Sequence, residues 1–414
     1  MASGLENEFV TLHEIVKAAK IRLNANIWDY LIGGTETETT LRRNRMALDS
    51  IAFKPRVLRN VSKIDPSSEI FGKKLRIPVL LAPVGSLESF EPGGGITVAK
   101  GAGAGNVGML ISSVTTLKLE DIVKGGNGPK IYQLYVRGDD KWVEERVKQA
   151  MGAGYDAFCI TVDTAVYSRR ERDIAKRFVK SWRTAATGQD HQAAFAWDNF
   201  KRVKDQFPDV KFLLKGIGCA EDAEIAVQHG VWAVYCSNHG GRQLDHGRGS
   251  AAVLPEIVET AKGRAKVIVD GSFSRGTDIV KAICLGADYV GLGRLYCYGL
   301  AANGAAGIER VVELLEEEMK EVMGLLGVSS LKQLDKSYVS QSTPTNLPGV
   351  HSAFPLMHAT IAHAATTPRG GSRQLILPNF WARSSMMCGP PLGLAAWVCP
   401  GEPEPRAGRP VTRA

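Results

Sequence analysis

The sequence predicts an α/β protein: a (β/α)8 TIM barrel with N-terminal helices and a poorly ordered C-terminal extension. Three observations carry this. Eight short β-type runs recur between residues 77 and 295, with helical patterns between them. The runs are continuously apolar, as strands covered on both faces by helices are, instead of alternating. Each run ends on a chemically capable side chain or a permissive glycine, and in a barrel those C-terminal strand ends converge on one face. A doubly wound open sheet is the alternative arrangement of the same units.

Taken in order, residues 8–50 read as helical. "EFVTLHEIVKAAKIRL" places Val10, Ile15, Ala18, Ala19 and Leu23 on one helical face, and "NANIWDYLIGG" forms a second helix stopped by Gly33 and Gly34. The strand runs follow: 77–83, 107–113, 130–136, 157–163, 211–217, 233–239, 266–272 and 289–295. Helical segments such as "DKWVEERVKQAMGAG", "AEDAEIAVQHG", "LPEIVETAKG" and "GTDIVKAICLGA" separate them. After residue 340 no period of 3.6 or 2 survives. Residues 341–414 hold eleven of the nineteen prolines and six Arg against two Glu. We therefore expect one domain over 1–340 and a Pro/Arg-rich disordered tail over 341–414, its first dozen residues packed on the body.

The tail carries +4 of the net charge of +8, so the body is only mildly basic. No basic stripe interleaved with aromatics suggests nucleic acid. The seven cysteines are odd in number, form no C-x-x-C pair and lie largely in apolar runs. They read as buried thiols of a reducing compartment, without a disulfide frame or a metal site. The polar N-terminus is unlike a signal peptide, and no apolar stretch is long enough to span a membrane. A cytoplasmic protein is expected.

"GAGAGNVG" (101–108) precedes a strand instead of following one, so its small residues read as helix packing, not as a dinucleotide loop. The phosphate signal lies later. "VDGSFSRGTD" (269–278) and "VGLGRL" (290–295) follow strand runs seven and eight, the common phosphate position in such barrels, and carry Arg275 and Arg294. The stretch "AVYCSNHGGRQLDHG" (233–247) ends an apolar run in His239 and Arg242. With Asp163 and Lys215 at neighbouring strand ends, the set supplies a base with a carboxylate partner, a planar fork for a carboxylate substrate and a cation for a developing anion.

"SNHGGRQLD", together with "LLKGI", "ITVDTAVYSRRERD", "YQLYV" and "VDGSFSRGTDIVKAICLGADYVGLGR", resembles the FMN-dependent 2-hydroxy-acid oxidase and dehydrogenase family over residues 8–340. The resemblance implies FMN as cofactor and oxidation of an (S)-2-hydroxy acid to the 2-oxo acid. It makes His239 the base, Asp163 its partner, and Arg242 and Arg170 the substrate-carboxylate ligands. Tyr135 would contact the substrate hydroxyl, and Lys215 would stabilise the reduced flavin. Pro83, Val84, Gly85, Ser112, Gln133 and Thr161 would line the isoalloxazine, and Asp270, Gly271, Arg275, Gly293 and Arg294 would hold the ribityl phosphate end. Trp28 is placed where the family has a carboxylate-binding tyrosine, and Ser274 where it has a phosphate-binding arginine. The segment 178–200 reads as an abbreviated lid. The resemblance also implies a homo-oligomer and an electron acceptor that is oxygen or another carrier. The alternatives are a flavin barrel with a changed substrate and a degenerate, non-catalytic paralogue.

Overall fold

The computed structural model describes residues 3–178 and 188–358. Three helices open the chain: α1 Leu12–Arg22, α2 Ala25–Ile32 and α3 Thr39–Asp49. Glu14 accepts the Thr11 N–H at 2.9 Å, the returning half of a capping box, and so starts α1 two residues after Val10. Val10, expected on the apolar face, lies outside the helix and is 57% exposed; Leu12, Ile15, Val16 and Ala19 form the buried stripe. Asn24 caps α2 by accepting from the Asn26 and Ile27 N–H groups.

The strands are β1 Ile51–Phe53, β2 Ser68–Ile70, β3 Lys73–Leu75, β4 Val79–Leu81, β5 Gly108–Ser112, β6 Lys130–Leu134, β7 Ala157–Thr161, β8 Phe212–Ile217, β9 Ala233–Cys236, β10 Lys266–Val269, β11 Tyr289–Leu292 and β12 Val339–Gln341. Strands β4 to β11 close a parallel barrel in chain order, β11 pairing back onto β4. All eight fall inside the predicted runs, and the open sheet is excluded by closure. The antiparallel pair β2–β3 sends Ile70 and Leu75 into the barrel's inner cluster.

Alternation along the strands builds that interior. Leu80, Leu110, Ile131, Cys159, Leu213, Tyr235 and Ile268 form the inner apolar cluster. A period of 2 then turns the side chains two residues further on to the same side: Ala82, Ser112, Gln133, Thr161, Lys215, Ser237 and Asp270. One apolar layer thus supports one polar layer at the C-terminal mouth. The helices around it carry the larger outer core.

"GAGAGNVG" packs as expected. A Cβ at Gly101, in the helix Gly94–Gly105, would lie 2.8 Å from the Ile308 Cβ of the helix Arg294–Leu326. The expected boundary at 340 falls inside β12, which pairs with β1 from Ile51↔Gln341 to Phe53↔Val339. The chain then returns over α1. Phe354 is 1% exposed and meets the His13 ring edge-on at 5.8 Å. Packing therefore continues to residue 358, and the remainder of the expected tail, 359–414, lies outside the described residues. So do 179–187 of the expected lid; its later part forms the helices Gln189–Ala194 and Trp197–Gln206.

Candidate active site

Ala82, Lys215 and Asp270 of this layer line a cavity at the C-terminal mouth, and Ser112, Gln133, Thr161 and Ser237 lie in the same layer behind its lining. Lys215 donates to the Ser237 hydroxyl at 2.9 Å and pairs with Asp270 at 3.3 Å, and Ser237 donates to Asp270 at 2.6 Å. Burial opposes the Lys215 charge, but Asp270 and Asp163 outweigh it and hold its pKa above the ordinary lysine value. A fixed cation therefore sits in the floor. Beside it, Gln133 is fully buried with neither amide atom partnered, and the Thr161 hydroxyl is likewise orphaned. Adjacent strands bring these groups together: Ser112 registers with Gln133, and Thr161 with Lys215. Orphaned donors and acceptors in a ring around a lysine are costly unless a flat polar ligand satisfies them. The edge of an isoalloxazine, with its ring nitrogens and carbonyl oxygens, fits that demand.

The loop after β9 supplies the reactive groups. His239, Gly240 and Gly241 take φ of +58°, +63° and +77° in succession. The His239 N–H donates to Ser237, and the Asn238 side-chain oxygen accepts the Gly241 N–H, which holds this left-handed run. At Gly241 any side chain is barred: a Cβ would lie 2.5 Å from the backbone of Leu41 in α3. The run aims His239 into the cavity. Its Nδ1 lies 3.0 Å from Asp163, and its Nε2 lies 3.2 Å from the Tyr135 hydroxyl. A carboxylate only accepts, so Nδ1 carries the proton and the Nε2 lone pair faces the Tyr135 O–H. Burial lowers the His239 pKa despite Asp163, leaving the ring neutral at pH 7. Burial works against the Asp163 charge too, yet His239 and Lys215 hold that carboxyl below its usual range.

Arg242, Arg170, Arg137 and Arg294 also line the cavity, and among the described residues none has a carboxylate within ion-pair distance. Arg242 donates to the Gly33 carbonyl at 2.6 Å and lies 4.8 Å over the Tyr30 ring. Burial and the neighbouring Arg170 push its pKa down to about 9, so it stays charged at pH 7. Arg170 lies over Tyr167 and donates to Gln243. Crowded guanidiniums without counter-ions are relieved by an incoming anion.

Of the residues expected at the site, Pro83, Val84, Gly85, Tyr135, Arg170, Lys215, His239, Arg242, Asp270, Gly271, Gly293 and Arg294 line this cavity. Asp163 stands behind His239, and Ser112, Gln133 and Thr161 lie in the floor layer. Two expectations are corrected. Trp28 does not line the cavity; it is buried against Tyr298 and His351, at ring distances of 5.7 and 5.5 Å. Tyr30 lines it instead, with its hydroxyl on the Gly85 carbonyl at 3.3 Å. Two helical residues turn the side chain by about 200°, so the two positions face opposite ways. Arg275 points away, paired with Glu318 at 2.5 Å and donating to the Ala353 carbonyl. Asp270, expected at the ribityl phosphate end, lines the cavity and pairs with Lys215 in the floor.

Gly271, Ser272, Ser274, Gly293 and Arg294 line the cavity where the helix Arg294–Leu326 begins, and this group could hold a phosphate. The Ser272 hydroxyl there is buried and unpartnered. Three contributors were not legible in the sequence. Gln192 accepts the Val136 N–H and donates to the Thr161 carbonyl, tying two strand ends together. Val350, from the expected tail, and Arg137 both line the cavity.

Comparison with known proteins agrees with this geometry. The profile of the FMN-dependent dehydrogenases matches residues 19–341. Glycolate oxidase of Spinacia oleracea is 35% identical over 354 residues, 80% of this chain and 96% of the relative. L-lactate oxidase of Nostoc sp. is 35% identical over 80% of this chain and 98% of the relative. The crystal structure of mandelate oxidase with benzoyl-formic acid superposes with a TM-score of 0.75 at 35% identity, covering 82% of this chain and all of that one. Among the described residues no helix is long and apolar enough to cross a membrane. The chain belongs to the FMN-dependent dehydrogenase family.

Proposed function

We propose that this chain oxidises an (S)-2-hydroxy acid to the 2-oxo acid, with FMN bound across the polar floor. The observation that carries the reading is His239, tied through Nδ1 to Asp163 at 3.0 Å and facing the Tyr135 hydroxyl with Nε2, in a cavity whose guanidiniums have no carboxylate within ion-pair distance among the described residues. FMN, when bound, accepts the two electrons released at the substrate α-carbon. Gln133, Thr161 and Lys215 would hold its ring edge, and Ser272, Ser274 and Arg294 its phosphate end.

The protein's own part is positioning and proton transfer. Arg242 and Arg170 clamp the substrate carboxylate, Arg242 with a planar fork. Tyr135 donates its hydroxyl toward the substrate oxygen. His239 Nε2 takes a proton from the substrate as oxidation proceeds, and Asp163 stabilises the imidazolium that results. Lys215 balances negative charge gathering in the floor. The names of the relatives supply the first substrate panel: glycolate, L-lactate and mandelate. Family membership supports a homo-oligomer. The described cysteines, all unpaired, support a reducing, cytoplasmic setting.

The test is an anaerobic visible spectrum of the purified protein before and after each acid, followed by air. Bleaching of the flavin band by an (S)-acid and not its (R)-enantiomer is expected. Recovery in air identifies oxygen as acceptor; recovery only with an added carrier identifies a dehydrogenase. A flavin band that no 2-hydroxy acid bleaches contradicts the proposal.

A further inference from the structure

Charge in the cavity exceeds what the proposed reaction uses. Among the described residues its wall presents Arg137, Arg170, Lys215, Arg242 and Arg294 against one carboxylate, Asp270. Asp270 is matched to Lys215. Arg294 donates to the Leu31, Gly33 and Gly240 carbonyls and stands at the phosphate end. Arg242 and Arg170 suffice for one carboxylate. That leaves Arg137.

Its position is built, not incidental. Arg137 lies two residues beyond Tyr135, so its Cα is at most about 7 Å from that of a side chain touching His239. The backbone between them is pinned where Val136 donates to the buried Gln192 side chain at 2.7 Å. Gly188 lies against the Arg137 carbonyl so closely that a Cβ there would sit at 2.4 Å. The guanidinium is half-buried, lines the cavity, and has no hydrogen bond or ion pair to the described residues. Burial lowers its pKa, as it does for a desolvated cation. The same cavity also has apolar lining, including Val84, Phe90, Val114 and Val166. A cation without a described partner in a cavity with apolar lining suits a short hydrocarbon spacer that ends in an anion.

We infer that Arg137 selects 2-hydroxy acids carrying a second, distal carboxylate: 2-hydroxydicarboxylic acids. The inference rests on the proposed oxidation of 2-hydroxy acids at this site. It adds the substrate class, with the reacting carboxylate on Arg242 and Arg170 and the distal one on Arg137.

The experiment measures kcat/KM for flavin reduction in the holoenzyme, using (S)-2-hydroxy diacids of four to six carbons. Each is compared with the 2-hydroxy monocarboxylic acid of equal chain length, which lacks the distal charge. The wild type should favour one diacid over its monoacid counterpart by about tenfold or more, chiefly through KM, and the preference should fall as salt is raised. Arg137→Gln should bring that ratio toward one, Arg137→Glu should invert it, and Arg137→Lys should keep most of it. Monoacids that bleach the flavin as well as the diacids overturn this inference and leave the proposed oxidation standing. A diacid preference that survives Arg137→Glu also overturns it. If no acid of either kind bleaches the flavin, the proposed oxidation fails and this inference with it.

Discussion

Replacing Asp163 by Asn separates the charge behind His239 from its hydrogen bond. The Asn carbonyl can still accept the Nδ1 proton, so the tautomer and the 3.0 Å contact survive while the negative charge is lost. At that separation, unit charges interact by about 5 kcal/mol at an effective dielectric near 20. A charge-assisted hydrogen bond is worth about 1.5–3 kcal/mol net. Proton transfer is partial in the transition state, which places the loss near 3 kcal/mol, about 10²-fold in the flavin-reduction rate. The pH profile moves too. In the wild type, burial lowers the His239 pKa, so the acid limb of kcat/KM lies below the ordinary histidine value of about 6.5. Removing the anion disfavours the imidazolium further. The Asp163→Asn limb should therefore shift to still lower pH while the plateau falls. Stopped-flow reduction across pH 4–9 reads both, and the flavin spectrum reports intact fold. A plateau within threefold of wild type, or a limb displaced upward, would refute the reasoning.

Other perturbations address the clamp, the loop and the C-terminal return. Arg242→Lys replaces a fork by a point charge and should cost about 10²-fold or more in kcat/KM, mostly in KM, measured by steady-state turnover. Gly241→Ala drives a Cβ into the Leu41 backbone at 2.5 Å and should abolish flavin reduction. Gly263→Ala shares a positive φ, +74°, but meets nothing within 4 Å, and should lose stability without losing turnover, as thermal melts and assays will show. Phe354→Ala empties a fully buried site and should destabilise the protein by about 3–5 kcal/mol in urea unfolding. A chain ending at residue 358 keeps every described contact of that segment and should melt within a few degrees of the full chain.

The barrel was legible because its two periodicities are local. Runs such as "AFCITVD" carry their own strand signal, and the polar residue ending each run marks the mouth. His239, Arg242, Asp163 and Lys215 were legible for the same reason: they end strands or follow directly from them. What was missed is what only three-dimensional packing decides. Trp28 and Tyr30 belong to one short helix, and which of them faces the cavity depends on α2's rotation against the barrel, not on composition. Arg275 and Arg294 looked alike as basic residues in phosphate loops. Glu318, more than forty residues away, turns Arg275 outward. Val350 sits in a segment without periodicity, and one aromatic, Phe354, docks it against α1. Gln192 acts through two backbone contacts that no motif records.

The most direct test of the account is His239→Gln, assayed for flavin content and anaerobic reduction by the best (S)-2-hydroxy acid. The substitution leaves Ser272, Ser274 and Arg294 in place and removes the Nε2 lone pair. The account predicts a protein that still purifies with FMN and whose reduction is slowed by about 10²- to 10⁴-fold. Reduction at a near-wild-type rate, with the flavin retained, would contradict it.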